Sequence, residues 1–142
     1  LLAGRDYEEL SVKDYTESLI DSLLTVFPES ENVKIKRQIA NFTLSSKKVI
    51  PVGIIINELL TNAFKYAFRG REEGLISIEL SMEGSQVSLT IQDNGIGIGE
   101  RGLETRPPGF GLRIVKMLAE QLGGSFAITD EKGTRSVLQF EA

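Results

Sequence analysis

Residues 57–66 read Asn-Glu-Leu-Leu-Thr-Asn-Ala-Phe-Lys-Tyr, and this stretch decides the fold because polar and apolar side chains recur in it at helical spacing. At about 100° per residue, Glu58, Asn62 and Lys65 fall within roughly 60° of each other on one face of the predicted helix. The opposite face collects Ile56, Leu59, Leu60, Ala63 and Ala67. One face is therefore predicted to pack in a core, while the other presents a carboxylate, a carboxamide and an ammonium group.

These three polar groups could bind the complex of a metal ion with a triphosphate. The amide oxygen of Asn62 can ligand Mg²⁺, the ammonium of Lys65 can meet a phosphate, and the carboxylate of Glu58 can order water or the nucleophile. A solvated helix face with a Glu-to-Lys pair has the same pattern. Taken by itself, the stretch favours that plainer interpretation.

A second motif, Asp93-Asn94-Gly95-Ile96-Gly97, follows a predicted strand over residues 87–91. Strand alternation places Asp93 on the inward face, where a carboxylate is costly unless it has a partner. The exocyclic amine of a purine would be such a partner, and the glycines would let a base lie against the backbone. An aspartate that caps a turn explains Asp-Asn-Gly equally well. The motif alone does not decide between the two.

Two weaker signals follow. Gly109-Phe110-Gly111-Leu112 opens a predicted helix that runs to about Leu122, and the amide groups of a helix N-terminus attract phosphate. Thr134, just after Gly133, is predicted to point inward with Leu138 and Phe140. It is either a core hydroxyl or a contact to the base, and by itself the pattern favours the core.

The remaining pattern predicts an α+β fold, a two-layer α/β sandwich whose mixed, mostly antiparallel sheet is covered on one face by helices. Residues 1–10 are interpreted as a linker or the end of an upstream helix, and residues 11–142 as one domain. Predicted helices cover 12–27 behind an N-cap at Ser11, 51–68, and 111–122. Predicted strands cover 33–39, a hairpin at 76–82 and 87–91, 125–130 and 134–141, with a glycine-rich mobile loop at 95–111.

Composition removes several classes of function. The chain has 142 residues, 41% of them hydrophobic and 25% charged, as in an ordinary soluble domain. It has no cysteine and no histidine, which excludes thiolate or histidine metal sites and Ser-His-Asp triads. A net charge of −4 does not favour nucleic-acid binding, and no apolar run is long enough to cross a bilayer. Because the chain begins at Leu1, we expect it to be a piece of a larger protein.

In their order along the chain, the motifs resemble the ATP-binding domain shared by sensor histidine kinases, gyrase-type topoisomerases, Hsp90 and MutL, the Bergerat fold. Residues 57–66 resemble the N box, residues 93–97 the G1 box and residues 109–112 the G2 box. The resemblance covers nearly the whole chain from about residue 11. It looks most like the bacterial kinase subfamily HisKA_2, although no F box precedes the second glycine cluster. The absence of tryptophan separates it from the related HWE subgroup.

The resemblance implies that ATP and Mg²⁺ are the cofactors. Asn62 would ligand Mg²⁺, Lys65 and Tyr66 would face the phosphates, and Asp93 would bind the adenine amine. Glu58 matches the position of the general base in the superfamily's ATPases. The residues implied to shape the pocket and lid are Gly95, Ile96, Gly97, Gly109, Phe110, Gly111 and Leu112, with Thr134 near the base.

The implied function is transfer of the γ-phosphate to a histidine on a separate, upstream dimerisation domain, because this chain has no histidine. The same resemblance implies a response regulator as partner, a homodimeric parent protein and a cytoplasmic location. It is compatible with a parent protein that is anchored in a membrane. No nucleic acid or membrane contact is expected of the domain itself. The alternatives are an anti-sigma-factor type of protein serine kinase, another ATPase of the superfamily, or a nucleotide-binding module without catalysis.

Overall fold

The computed structural model describes residues 8–96 and 110–142, apart from the side chains of residues 29, 110 and 111. In this part of the chain the α-helices are α1 (Val12–Val26), α2 (Ser46–Asn62) and α3 (Phe110–Gln121). A 3₁₀ turn spans Pro28–Asn32, and a π-helical turn over Ala63–Ala67 continues α2. The strands are β1 (Glu9–Ser11), β2 (Val33–Ile39), β3 (Thr43–Ser45), β4 (Gly74–Glu83), β5 (Gln86–Asp93), β6 (Ser125–Asp130) and β7 (Thr134–Glu141).

The main sheet has the strand order β2-β4-β5-β7-β6. Strand β2 runs parallel to β4, and the other neighbouring pairs are antiparallel. A parallel pair needs a crossover connection, and α2 lies in the one that joins β2 to β4. Strands β1 and β3 form a separate two-stranded sheet. The observed fold confirms the prediction of an α+β sandwich with a mixed, mostly antiparallel sheet.

The core lies between the helices and one face of the main sheet. Alternate residues of β4 and β5 are buried, as are Ile55 and Ile56 of α2 and Val115 of α3. Burial of one such side chain stabilises the fold by about 1.5–3 kcal/mol relative to exposure. The opposite sheet face carries mainly polar residues, among them Lys36, Glu79 and Thr90. Within the described ranges, helices therefore cover one face of the sheet, as the alternation predicts.

Helix α1 is capped at its N-terminus and held against β2 by two ion pairs. Its N-cap is Ser11, whose hydroxyl accepts a hydrogen bond from the Asp14 N–H at 3.1 Å. Arg37 of β2 reaches Glu17 at 2.9 Å and Asp21 at 2.8 Å on α1. Burial acts to lower the pKa of Arg37, but the hydrogen bonds with the two carboxylates outweigh it and raise that pKa above its ordinary value.

Strand bounds are predicted better than helix bounds. Strands β2, β6 and β7 begin and end where the alternation places them. The predicted start of the second helix at Pro51 is wrong, because α2 begins at Ser46 and contains the proline. Val49, only 2% exposed, packs in the core, and this packing offsets the hydrogen bond that a proline removes from a helix interior. The predicted end at Phe68 is replaced by the end of α2 at Asn62 and the π turn.

The short sheet of β1 and β3 was not predicted. Glu9 and Leu10, assigned by the sequence to a linker or helix end, pair with Ser45 and Leu44 in it. Most of the predicted glycine-rich loop lies outside the described residues. Across the ranges that are described, no helix combines the length and apolar character needed to traverse a bilayer.

Candidate functional site

A cavity opens between the end of α2, the start of α3 and the inward faces of β5, β6 and β7. The centre of a water molecule can reach about 20 Å³ of it, within about 370 Å³ of unfilled space that includes open solvent. Asn62, Asp93, Leu112 and Thr134, which were selected from separate motifs, meet here. The other residues that line it are Leu59, Ala63, Ala67, Ile91, Ile128 and Ser136. The cavity is thus mostly apolar with a few convergent polar groups, which is typical of a small-molecule site.

Asp93 is the acidic group of this cavity, and only 7% of it is exposed. Its Oδ1 atom accepts hydrogen bonds from the backbone N–H groups of Gly95, at 2.9 Å, and Thr134, at 3.1 Å. The bond to Gly95 is the one expected of an aspartate that caps a turn. The same carboxylate also lines the cavity, as a purine contact requires. The two interpretations of Asp93 are therefore compatible, because one oxygen atom serves the turn.

Two glycines permit the close backbone contacts around Asp93. A Cβ atom on Gly95 would overlap the carbonyl oxygen of Ala67, which accepts a hydrogen bond from the Ile96 N–H at 2.8 Å. A Cβ atom on Gly133 would overlap the carbonyl oxygen of Asp93, and Gly133 has a φ of 131°. The turn after β6 therefore packs closely against the backbone of Asp93. Gly133 entered the sequence analysis only as the neighbour of Thr134.

Gly133→Ala is therefore expected to destabilise the fold by about 1–3 kcal/mol and to disturb nucleotide binding, because both the φ angle and the Cβ contact become unfavourable. Gly84→Ala is the matched control, since Gly84 also has a positive φ but open space around its Cβ position. Urea unfolding of both variants measures the difference. An equal loss of stability in the two variants would show that the contact with Asp93 costs nothing.

Asn62 is the last residue of α2, and its side chain lines the cavity. Lys65 does not join it there. It lines a separate recess with Phe64 and Phe68, and the ring of Tyr66 lies under the Arg69 guanidinium at 4.9 Å. The π turn explains this, because its wider turn advances each residue by less than the roughly 100° of an α-helix. The α-helical wheel therefore misplaces Lys65 relative to Asn62, and the phosphate contacts of Lys65 and Tyr66 remain predictions.

The other predicted site residues lie outside the lining of the cavity or outside the described structure, and their roles stay predictions. Glu58 is partly buried one turn before Asn62 and is not among the described residues that line the cavity. Ile96 is 53% exposed beside the turn. Phe110 and Gly111 begin α3, as the G2 motif predicts. The predictions for Gly97 and Gly109 lie outside the described residues.

Ser136 is the polar cavity residue that the sequence analysis missed. It is 3% exposed and lines the cavity two residues after Thr134 on β7. The signal was available, because the alternation that turns Thr134, Leu138 and Phe140 inward also turns Ser136 inward.

The cavity offers few oxygen ligands to a Mg²⁺ ion. Mg²⁺ keeps several waters and usually takes only one or two protein ligands in addition to substrate phosphates. The described residues contain no group of three or more acidic side chains that could hold a metal ion by themselves. The amide oxygen of Asn62 therefore fits a Mg²⁺ ion that is carried mainly by a triphosphate.

Comparison with protein families identifies this architecture. Residues 48–142 match the family of histidine kinase-, DNA gyrase B- and HSP90-like ATPases. The chain belongs to this family. The match includes α2 from its third residue onward, the turns at Gly95 and Gly133, and strands β5, β6 and β7 around the cavity. The antiparallel-rich sheet with helices on one face is the Bergerat fold of histidine kinase catalytic domains.

Two curated relatives within the ATPase family differ in kind. A blue-light-activated histidine kinase of Erythrobacter litoralis is 33% identical over 91 residues, which are 63% of this chain and 26% of the relative. An anti-sigma F factor of Bacillus cereus is 31% identical over 98 residues, 69% of this chain and 64% of the relative. The chain thus spans about a quarter of the first relative and under two thirds of the second.

Solved structures of the family agree in fold. A blue-light-activated histidine kinase of Erythrobacter litoralis has a TM-score of 0.85 at 25% identity, covering 93% of this chain and 42% of that one. A mycobacterial sensor histidine kinase has a TM-score of 0.74 at 18% identity, covering 95% and 97%. The second likeness shows the fold alone.

Proposed function

We propose that this ATPase-family domain binds Mg-ATP and transfers the γ-phosphoryl group to a histidine on a separate dimerisation domain. The observation that carries the proposal is the buried Asp93 carboxylate beside the unpaired hydroxyl of Thr134 in an apolar cavity, with Asn62 on its wall. A purine would lie at the carboxylate end, and a metal-bound phosphate chain would lie at the amide end.

At the purine end, Asp93 would accept a hydrogen bond from the exocyclic amine of adenine. The Thr134 Oγ1 atom is buried without a hydrogen-bond partner in the described structure, and such a group costs free energy unless a ligand or water meets it. Leu59, Ile91 and Leu112 supply apolar surface for the ring. Thr134 is therefore assigned to the base rather than to the core.

At the phosphate end, Asn62 would hold Mg²⁺ through its amide oxygen. The ion would neutralise charge on the triphosphate, which is the main lever in phosphoryl transfer. We assign Lys65 and Tyr66 to the phosphate chain in the nucleotide-bound form. Glu58, one turn before Asn62, would order the attacking group in the nucleotide-bound form. The G2 residues at the start of α3 would contribute amide groups to the phosphates.

The acceptor must come from outside this chain, because the chain contains no histidine. In the proposed reaction an imidazole nitrogen forms a bond to the γ-phosphorus, the bond to the β–γ bridging oxygen breaks, and ADP leaves. The domain supplies orientation and charge neutralisation but no nucleophile. The upstream dimerisation domain, a response regulator, a homodimeric parent and a cytoplasmic location are parts of the same proposal, and the Erythrobacter litoralis relatives support the kinase assignment.

A second candidate is a protein serine kinase of the anti-sigma-factor kind. The similarity to the anti-sigma F factor of Bacillus cereus favours it. The two candidates use the same nucleotide site but different acceptors, so the chemical stability of the product separates them. Phosphohistidine is lost in acid and survives base, whereas phosphoserine survives acid.

Incubation with labelled ATP is expected to leave no acid-labile phosphate on the isolated chain, because no imidazole is present. Mixing with the helical segment that precedes this domain in its parent should label that segment with acid-labile, base-stable phosphate. Acid-stable label on a partner instead would favour the serine kinase. Fast hydrolysis without any partner, abolished by Glu58→Ala but not by Glu79→Ala on the open sheet face, would favour an ATPase.

A further inference from the structure

The inward face of β7 is apolar at one end and polar at the other. Leu138 and Phe140 at one end are core residues, 0% and 3% exposed. Thr134 and Ser136 at the other end are also buried, at 8% and 3% exposure, but they carry hydroxyl groups. The change occurs where β7 enters the cavity. Hydroxyl groups thus replace apolar side chains on this strand only where a ligand could reach them.

Ser136 is surrounded by apolar side chains. Its paired residues are Ile91 on β5 and Ile128 on β6, and both line the same cavity. Hydrogen bonds found among the described residues do not include one from the Ser136 hydroxyl, and the neighbouring Thr134 Oγ1 is buried and unpaired. Ser136 Oγ is not one of the fully buried atoms without a partner, so this hydroxyl is a polar group facing the cavity rather than a sealed packing atom.

The position of Ser136 relative to Asp93 indicates what it would contact. Gln92 pairs with Arg135, so Asp93 and Thr134 are next to each other along the same two strands. Ser136 lies two residues further along β7, which is roughly 7 Å away at about 3.3 Å per residue. That distance is within reach of a ring atom of a base whose amine meets Asp93, either directly or through one water.

We propose that Ser136 is a specificity-determining residue that donates a hydrogen bond, directly or through one water, to the acceptor nitrogen next to the amine of a bound adenine. This inference rests on the proposed nucleotide function. On that edge of adenine a donor, the amine, stands beside an acceptor, N1. The carboxylate of Asp93 can only accept, so N1 needs a separate hydrogen-bond donor. Ser136 offers a hydroxyl for this in addition to that of Thr134.

The test is titration calorimetry of the full chain with ATP, 1-deaza-ATP and 7-deaza-ATP. Wild type should bind 1-deaza-ATP roughly three- to tenfold more weakly than ATP, the effect of one lost hydrogen bond. In Ser136→Ala, ATP should weaken by a similar factor, and the difference between ATP and 1-deaza-ATP should shrink. The loss on removing N7 should be the same in both proteins, because N7 lies on the other side of the amine.

Thermal melting of the nucleotide-free chain separates this role from a structural one. Ser136→Ala should melt at nearly the same temperature, since the described structure gives the Ser136 hydroxyl no hydrogen bond to lose, and Ser136→Thr should restore the difference between ATP and 1-deaza-ATP. A lower melting temperature with equal weakening of all three nucleotides would overturn the inference, as would an unchanged N1 effect in Ser136→Ala. If wild type binds none of the nucleotides, the proposed function fails as well.

Discussion

Replacing Asn62 with alanine is expected to lower phosphoryl transfer by roughly a hundredfold or more while the domain stays folded. Metal-ion stabilisation of a transferring phosphoryl group amounts to several kcal/mol, and each 1.4 kcal/mol is a factor of about ten in rate. Asn62 is the amide side chain that lines the cavity. It is partly exposed at the end of α2, and alanine has the higher helix propensity, so stability should change by less than about 0.5 kcal/mol.

The rate of label transfer to the histidine-bearing partner measures this effect, with thermal melting as the check on folding. Asn41→Ala is the matched control, because Asn41 is exposed in the turn between β2 and β3. Nucleotide binding without Mg²⁺ should be nearly unchanged in Asn62→Ala, since the purine end of the cavity is intact. Wild-type turnover in this variant would place the metal ligand elsewhere, and Glu58 would be the next residue to replace.

The sheet could be predicted from the sequence because one of its faces is exposed. On β2 the exposed Lys34, Lys36 and Gln38 alternate with enclosed residues, and the same contrast marks β6 and β7. Alternation of this kind fixes both the bounds of a strand and which side chains face the core. Strands β1 and β3, with three residues each, are too short for the pattern to show.

Helix geometry near the site was harder to predict. The shared face of Glu58, Asn62 and Lys65 assumes α-helical rotation throughout, and the structure replaces the last turn by a π turn over Ala63–Ala67. Ala67 is then close enough to receive the Ile96 N–H and to exclude a Cβ atom on Gly95. A local sequence pattern does not report this contact, because it depends on residues nearly thirty positions apart. π turns are frequent at functional sites, which is consistent with its place beside Asn62.

Cavity residues were likewise predicted only where a local sequence pattern marks them. Asp93 and Thr134 were found because a polar residue stands on an apolar face just beyond a turn motif. Ser136 was missed although it obeys the same rule, since no motif adjoins it. Gly133 was undervalued because its contact with the Asp93 carbonyl exists only when the turn after β6 folds over β5. Polar residues on the core face of a strand thus indicate a site even where no family motif includes them.

Asp93→Asn is expected to weaken ATP binding by roughly a hundredfold and to reduce the preference for ATP over GTP. Oδ1 already accepts the N–H groups of Gly95 and Thr134, so the asparagine oxygen will occupy that place. Its NH₂ group must then stand at the Oδ2 position, where it meets the adenine amine donor to donor. A hydrogen bond to a charged group is worth about 1.5–3 kcal/mol, and the unpaired donors add to that loss.

This variant is more informative than Asp93→Ala, because it keeps both backbone hydrogen bonds and should leave the melting temperature nearly unchanged. Titration calorimetry with ATP, GTP and purine riboside triphosphate measures the effect, and Asp14→Asn, at an exposed residue in the first turn of α1, is the control. Purine riboside triphosphate lacks the amine, so its affinity should fall much less than that of ATP. If Asp93→Asn discriminates ATP from GTP as strongly as wild type, the carboxylate serves only the turn to Gly95, and adenine must be recognised elsewhere in the cavity.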